Sequence, residues 1–209
     1  MTLPPATING IPALGFGTFP LKGEQARTVI AMALEVGFRH FDTAQAYGNE
    51  GDVGAALQGA RLPRRDLFVT TKVSPDATGR VAFLPSVRRS LDDLKLDHVD
   101  LLLIHWPPRG ERAVEIAIEE LDKAAEAGYA RLIGISNFTI PLLERAVKAS
   151  ARPLATNQVE FHPLLDQSRL RQAAARHGQC LTAYCAIARG TVLADPVLRR
   201  IATAHDESE

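Results

Sequence analysis

Short apolar segments alternate with segments of helical periodicity along almost the whole chain. Strands are predicted at residues 14–18, 38–41, 67–72, 99–105, 130–136, 155–160 and 181–184. Helices are predicted at residues 24–36, 50–58, 81–94, 113–127, 141–149, 168–177 and 196–205. Strands that are joined by a helix pair in parallel through right-handed crossovers. The alternation therefore predicts an α/β protein with a parallel sheet.

Two architectures suit such a chain, the open doubly wound sheet and the (β/α)₈ TIM-type barrel. A dinucleotide-binding open sheet carries Gly-x-Gly-x-x-Gly where its first strand turns into a helix. Gly15 and Gly17 begin that pattern, but Pro20 stands at the third glycine position. The barrel is therefore favoured, and Asn9-Gly10 predicts a β-hairpin before it. We expect residues 1–209 to form a single barrel domain.

The composition argues against several classes of partner. The chain has 24 basic and 24 acidic residues, and this balance favours neither nucleic acid nor an anionic membrane surface. No apolar run approaches the roughly 18 residues of a membrane span, and the N-terminus lacks the pattern of a signal peptide. Cys180 and Cys185 are expected to be free thiols in a reducing compartment. We therefore expect a cytoplasmic protein.

Polar side chains lie where the predicted strands end. They are Asp42, Lys72, His105, Asn137, Gln158 and Tyr184. Barrel enzymes carry their active sites at the C-terminal ends of the strands, which all meet at one mouth of the barrel. These side chains are therefore expected to converge on one site.

Three of these residues, together with Tyr47 in the turn after Asp42, suggest proton chemistry. Lys72 follows an apolar strand directly, and a desolvated ammonium there needs an anion, which Asp42 can supply. The ammonium would favour the phenolate form of Tyr47, which makes that phenol a competent general acid. His105 could donate a second hydrogen bond to the same substrate oxygen. The competing interpretation is a buried Lys–Asp pair with an incidental histidine and tyrosine.

A second functional interpretation is a divalent-metal hydrolase on the same barrel. His40 with Asp42, and Glu160 with His162, are pairs two residues apart that could present metal ligands. The ammonium of Lys72 would repel a metal ion at this mouth. No metal site is therefore expected.

Five stretches of the chain resemble the signatures of the aldo-keto reductase family. They are GFRHFDTAQAYGNE at 37–50, TTK at 70–72, LLLIHWP at 101–107, IGISNF at 133–138 and NQVEFHP at 157–163. Within that family the chain resembles the bacterial 2,5-diketo-D-gluconate reductases in particular. The resemblance implies a barrel that binds NADPH and reduces a small aldehyde or ketone to an alcohol. A diketo sugar acid or another small dicarbonyl is the implied type of substrate.

The resemblance also implies roles for the residues at the reacting centre. It makes Tyr47 the proton donor, with Asp42 and Lys72 tuning it. It makes His105 the residue that orients the substrate carbonyl. Trp106 would line the substrate pocket, although ordinary packing would also explain a tryptophan there.

A second set of roles concerns the cofactor. The resemblance implies that Ser136, Asn137 and Gln158 hold the nicotinamide carboxamide, and that Tyr184 stacks on the nicotinamide ring. Ser136 and Asn137 could instead be an N-cap for the helix that begins near Pro141.

The chain departs from the family in two places. Many members have Ser-Pro-Leu after the stacking tyrosine, where this chain has Cys-Ala-Ile at 185–187, so a contact to the cofactor pyrophosphate is in doubt. The chain also ends before the family's eighth strand and the basic segment that holds the 2′-phosphate of NADPH. We therefore expect a barrel without its last βα unit, monomeric as in the family when complete. The preference between NADPH and NADH stays open, and a non-catalytic nicotinamide-binding protein or an inactive truncated reductase is the alternative function.

Overall fold

A computed structural model describes residues 7–207 of the chain. The strands are β1 Thr7–Ile8, β2 Ile11–Pro12, β3 Phe16–Gly17, β4 His40–Asp42, β5 Phe68–Val73, β6 Val99–Ile104, β7 Ala130–Ser136, β8 Leu154–Glu160 and β9 Cys180–Tyr184. The α-helices are α1 Gly23–Glu35, α2 Glu50–Gly59, α3 Phe83–Leu94, α4 Ala113–Glu126, α5 Ile140–Ala149, α6 Ser168–Arg176 and α7 Pro196–His205. Short 3₁₀ segments lie at Gln45–Tyr47, Arg64–Asp66, Pro75–Ala77 and Ala188–Ala194.

The predicted helices and strands are all present, and their ends agree with the prediction to within about two residues. The sequence does not predict the 3₁₀ segments. Three of them are single turns, too short to show a periodic pattern, and Ala188–Ala194 is interrupted by the left-handed residues Arg189 and Gly190. None of the helices within residues 7–207 combines the length and the apolar character that crossing a lipid bilayer requires.

Seven strands form one parallel sheet, and its order follows the chain from β3 to β9. Helices connect the successive strands, as the crossovers of a TIM-type barrel require. Within the described residues, β3 and β9 are the two end strands of the sheet. The structure therefore confirms the predicted barrel without its last unit.

The N-terminal hairpin lies across the end of the barrel that is opposite the site. Asn9 and Gly10 have φ of 53° and 78°, the left-handed conformation that its two-residue turn requires. The Asn9 amide donates hydrogen bonds to the carbonyl oxygens of Ala155 and Gly178, at 3.1 and 2.7 Å. Both carbonyls lie at the N-terminal ends of their strands, so the predicted hairpin caps this end of the barrel.

The two faces of β6 pack against different surroundings. Leu102 and Ile104 belong to the large apolar core between sheet and helices. Leu101 and Leu103 belong to a smaller cluster that includes Ile11 of the hairpin and therefore lies inside the barrel. Lys72 is the register partner of Leu103 on the adjacent strand, so its side chain also points inward.

Helices α2 and α3 approach each other closely at Gly54. A Cβ atom at this position would lie 2.5 Å from the carbonyl oxygen of Leu94, which is backbone and cannot turn away. The contact holds the second turn of α2 against the end of α3. Gly51 lies in the same helix, but a Cβ atom there would meet no atom within 4 Å.

We predict that alanine has opposite effects on stability at these two glycines. Gly54→Ala should destabilise the fold by about 1–3 kcal/mol, because the added methyl group overlaps the end of α3. Gly51→Ala should stabilise it by up to about 1 kcal/mol through helix propensity alone. Urea unfolding of both variants measures the difference. Equal stability of the two variants would contradict the close approach of the helices.

Candidate active site

Lys72 is the centre of a polar cluster at the C-terminal ends of the strands. Its side chain is 0% exposed. The ammonium forms an ion pair with Asp42 and donates to the carbonyl oxygen of Thr43 at 2.9 Å. The phenol oxygen of Tyr47 lies 3.2 Å from the same ammonium. Three oxygen atoms therefore match the three N–H donors of the lysine, which offsets the cost of its burial.

The contact between Lys72 and Tyr47 has a fixed direction. An ammonium has no lone pair, so the phenol oxygen must accept this hydrogen bond. The proton of the phenol is then available to a different acceptor. Tyr47 can therefore donate its proton to a substrate while its oxygen stays in contact with a cation.

A short turn brings Tyr47 to this position. Strand β4 ends at Asp42, and the 3₁₀ segment Gln45–Tyr47 follows it. Gly48 ends the turn with a φ of 62°, which glycine adopts without strain. The phenol thus lies beside the strand ends rather than on a strand of its own.

His105 packs edge-on against Tyr47, with ring centroids 5.6 Å apart and planes at 80°. Burial and the nearby charge of Lys72 lower the pKa of His105 to about 4, although Asp42 acts in the opposite direction. The imidazole is therefore neutral at physiological pH and carries one N–H donor. Its Nδ1 atom is buried and has no hydrogen-bond partner among residues 7–207.

The side chains of Ser136 and Asn137 bond to neighbouring strands instead of capping a helix. Ser136 Oγ donates to the carbonyl oxygen of Gln158 at 2.8 Å, and Asn137 Nδ2 donates to that of His105 at 3.0 Å. The N-cap position of α5 is Thr139, so the interpretation of Ser136 and Asn137 as an N-cap is wrong.

Gln158 and Tyr184 also belong to the polar cluster: Gln158 contacts Asp42, and Tyr184 contacts Asn137. The Gln158 amide donates to Oδ2 of Asp42 at 2.8 Å, and the Tyr184 hydroxyl donates to Oδ1 of Asn137 at 2.9 Å. Burial, and then the charge of Glu160, raises the pKa of Tyr184. The structure thus brings all the predicted strand-end residues into one connected group, although Gln158 lies within its strand rather than at its end.

Trp106 follows His105 and is 49% exposed. It lines a cleft of about 550 Å³ together with Pro75, Asp76, Pro107 and Arg109. The indole is therefore a wall of a cleft and not part of the apolar core, and its role in a substrate pocket stays a prediction.

The residues of the metal hydrolase interpretation lie apart in other contacts. The Nε2 atom of His40 is 2.9 Å from the hydroxyl of Thr70, and its buried ring packs on Phe68. His162 contacts Glu160 at 3.3 Å. Within residues 7–207, no three His, Cys, Asp or Glu side chains are grouped as a metal ion requires.

The sequence analysis missed Phe19 and Thr43. Phe19 packs on Tyr47 with ring centroids 5.1 Å apart, and the backbone of Thr43 accepts a hydrogen bond from Lys72. Phe19 follows β3 by two residues, so the rule of strand ends, applied to the first strand, would have found it. No pattern of side chains reveals Thr43, because its backbone carbonyl makes the contact.

Comparison with known proteins identifies the family of the chain. A family model described as the aldo/keto reductase family matches residues 13–203. The chain belongs to the aldo/keto reductase family. It is 44% identical over 198 residues to methylglyoxal reductase DkgB of Escherichia coli O157:H7. The matched region covers 94% of this chain and 74% of that protein. The resemblance found in the sequence is therefore confirmed, and the chain is a member of a family of oxidoreductases.

Solved structures agree with this membership. A crystal structure assigned as a 2,5-diketo-D-gluconic acid reductase B superposes with a TM-score of 0.91 at 48% identity, over 96% of this chain and 71% of that one. An aldo-keto reductase of Bombyx mori, solved in complex with NADP, has a TM-score of 0.88 at 30% identity, over 100% of this chain and 78% of that one. The fold of the reductase family is therefore the fold of this chain.

We predict that His105 stays neutral down to about pH 4 in the folded protein. Unfolded histidine takes up a proton near its ordinary pKa of 6.5, so the unfolded state binds more protons between these two values. The free energy of unfolding should then fall as the pH drops from 6.5 towards 4, by clearly less than the limit of about 1.4 kcal/mol per pH unit, because solvent screens a residue that is only partly buried. NMR titration of the imidazole measures the pKa directly. Unfolding of His105→Gln, which should lack this contribution, is the control, and an identical pH dependence in both proteins would contradict the prediction.

Proposed function

We propose that this protein reduces the carbonyl group of a small aldehyde or ketone to an alcohol, with NADPH as hydride donor and Tyr47 as proton donor. The observation that carries the proposal is the contact of 3.2 Å in which the buried ammonium of Lys72 donates to the phenol oxygen of Tyr47. This arrangement stabilises the phenolate that remains once the proton has left. Membership of the aldo/keto reductase family supports the same reaction.

The residues at the ends of β7, β8 and β9 fit the nicotinamide end of the cofactor. A carboxamide offers one acceptor and an NH₂ donor, and it needs partners of both kinds. The Ser136 hydroxyl and the amides of Asn137 and Gln158 supply both kinds, and Tyr184 supplies a ring for stacking. When it is bound there, the reduced nicotinamide supplies a hydride to the carbonyl carbon. The NADP complex of the Bombyx mori relative supports this choice of cofactor.

Tyr47 completes the reduction at the oxygen. The carbonyl carbon gains the hydride, and the oxygen takes the phenolic proton as negative charge develops on it. The carbonyl thus becomes an alcohol, and Tyr47 is left as a phenolate beside the ammonium of Lys72. Asp42 holds that ammonium in place through its ion pair.

His105 orients the substrate in this reaction. Its ring packs against Tyr47, so a carbonyl oxygen within reach of the phenol is also near the imidazole. Because its pKa of about 4 keeps it neutral, His105 donates a hydrogen bond without giving up a proton. Tyr47 is then the only one of the two that acts as the acid.

The cleft beside Trp106 is the proposed position for the rest of the substrate. The relatives named for methylglyoxal and for 2,5-diketo-D-gluconic acid both take their names from small dicarbonyl compounds, which supports a substrate of this class. The single-domain organisation, the monomeric state and the cytoplasmic location stay predictions from the sequence.

We predict that Tyr47→Phe lowers kcat for a small dicarbonyl such as methylglyoxal by about 10²–10⁴-fold, the usual contribution of a general acid. The affinity for NADPH, measured by fluorescence titration, should change little because the phenol does not hold the cofactor. Tyr129→Phe is the matched control, since its hydroxyl accepts a bond from Arg88 and the residue lies at the N-terminal end of β7, away from the site at the C-terminal ends. Wild-type turnover in Tyr47→Phe would remove Tyr47 from the mechanism.

The same assay tests the non-catalytic alternative. In a protein that only binds the nicotinamide, NADPH would quench the protein fluorescence, yet no dicarbonyl would be reduced at any enzyme concentration. Turnover that depends on Tyr47 excludes this alternative. Binding without turnover in the wild-type chain would favour it over the proposed reductase.

We predict that activity survives exhaustive dialysis against EDTA. The proposed proton transfer uses the Tyr47 phenol and needs no metal ion. NADPH oxidation is measured before and after dialysis, with a zinc hydrolase treated in parallel as the positive control. Loss of activity that Zn²⁺ restores would favour the interpretation in which His40, Asp42, Glu160 and His162 bind a metal.

A further inference from the structure

The geometry points to Gln45 as the positioning residue that holds Tyr47 against Lys72, an inference that rests on the proposed role of Tyr47. Gln45 is the first residue of the 3₁₀ turn that carries Tyr47. Its Oε1 atom accepts a hydrogen bond of 2.9 Å from the backbone N–H of Ser74. Ser74 follows the last residue of β5, the strand of Lys72. One side chain therefore ties the turn of the proton donor to the strand of the lysine.

The other end of the Gln45 amide is bound to helix α3. Its Nε2 atom donates to the hydroxyl oxygens of Ser86 and Ser90, each at 3.1 Å. Both hydroxyls already donate elsewhere, Ser86 to the carbonyl oxygen of Phe83 and Ser90 to the carboxylate of Glu50. The serine oxygens are therefore left as acceptors, which fixes the amide with Nε2 towards them and Oε1 towards Ser74.

Packing restrains the turn only in part. Phe19 and His105 contact the Tyr47 ring, but none of the three residues of Gln45–Tyr47 is fully buried. The 3.2 Å contact between Lys72 and Tyr47 is already at the long end of an N–H···O hydrogen bond. A displacement of the turn by a few tenths of an ångström away from β5 would break it. The hydrogen bond from Ser74 to Gln45 holds the turn beside β5 and thereby keeps the distance between Lys72 Nζ and the Tyr47 hydroxyl short.

Asn49 anchors the chain on the other side of Tyr47 but acts on a different element. Its amide donates to the carbonyl oxygens of Thr18 and Leu21 and accepts from the hydroxyl of Thr43. Two of these contacts hold the loop between β3 and α1, and the third reaches Thr43, whose carbonyl oxygen accepts from Lys72. Gln45 is thus the member of this pair that is bonded to the residue directly after β5.

The test is Gln45→Met, which keeps the length of the side chain and removes both hydrogen-bonding groups. We expect kcat for methylglyoxal to fall about 10–100-fold, the scale of a displaced reacting group, while KM and the NADPH dissociation constant change less than about twofold. The solvent isotope effect on the single-turnover rate should rise, because proton transfer from the displaced phenol becomes more limiting. Gln58→Met on the exposed face of α2 is the matched control and should leave all of these values unchanged.

A readout without substrate or cofactor accompanies the kinetics. Hydrogen exchange at the Ser74 amide should be faster in Gln45→Met than in wild type, and unchanged in Gln58→Met. A second variant, Gln45→Glu, keeps an acceptor for the Ser74 N–H and should retain more activity than Gln45→Met. If Gln45→Met does not fold, Gln45→Glu is the variant in which kcat and Ser74 exchange are measured.

Three outcomes would contradict these statements, two of them the role of Gln45 and the third the proposed function. If Tyr47→Phe is inactive while Gln45→Met keeps kcat within about twofold of wild type, Gln45 is not the positioning residue. Equal kcat losses in Gln45→Met and Gln45→Glu, with unchanged exchange at Ser74, would overturn it as well. If Tyr47→Phe is itself active, the proposed function fails whatever the Gln45 variants do.

Discussion

The arrangement of this site depends on one buried cation. The ammonium of Lys72 has no access to water, so each of its three N–H groups needs an oxygen partner from the protein. Asp42, the backbone of Thr43 and the phenol of Tyr47 supply those partners. Because the lysine can only donate, it also decides that the phenol oxygen accepts. Because the buried ammonium donates to the phenol oxygen, Tyr47 can give up its proton only to a group other than Lys72.

The sequence predicts the fold from the alternation of strands and helices, and it predicts the members of the site from the polar residues at the ends of the strands. Parallel strands joined by helices place all their C-terminal ends at one edge, so Asp42, Lys72 and His105 could be grouped without knowing any distance. Gln158 lies two residues before the end of β8, in the predicted strand as in the structure, and is the register partner of Ser136. That pairing could not be predicted, because register between strands is a tertiary property that no pattern within one strand reveals.

Other features could not be predicted, for physical reasons. The turn that carries Tyr47 is a single 3₁₀ turn, and its position depends on the Gln45 amide, whose partners are a backbone N–H and two serines on α3. The neutral state of His105 likewise depends on burial and on the distance to Lys72. Such contacts join residues about 30 or more positions apart, which composition and periodicity do not report.

The bond between Gln158 and Asp42 shows how strongly the site depends on the curvature of the sheet. Their strands, β8 and β4, are four positions apart in the sheet, a separation of about 19 Å if the sheet were flat. The two side chains nevertheless meet at 2.8 Å, so the sheet must curve until opposite strands face each other across the mouth. Asp42 then uses one oxygen for Lys72 and the other for Gln158. In the proposed mechanism, Gln158, which is assigned to the nicotinamide carboxamide, is therefore linked to Tyr47 through three charge-assisted hydrogen bonds, those of Gln158 with Asp42, Asp42 with Lys72, and Lys72 with Tyr47.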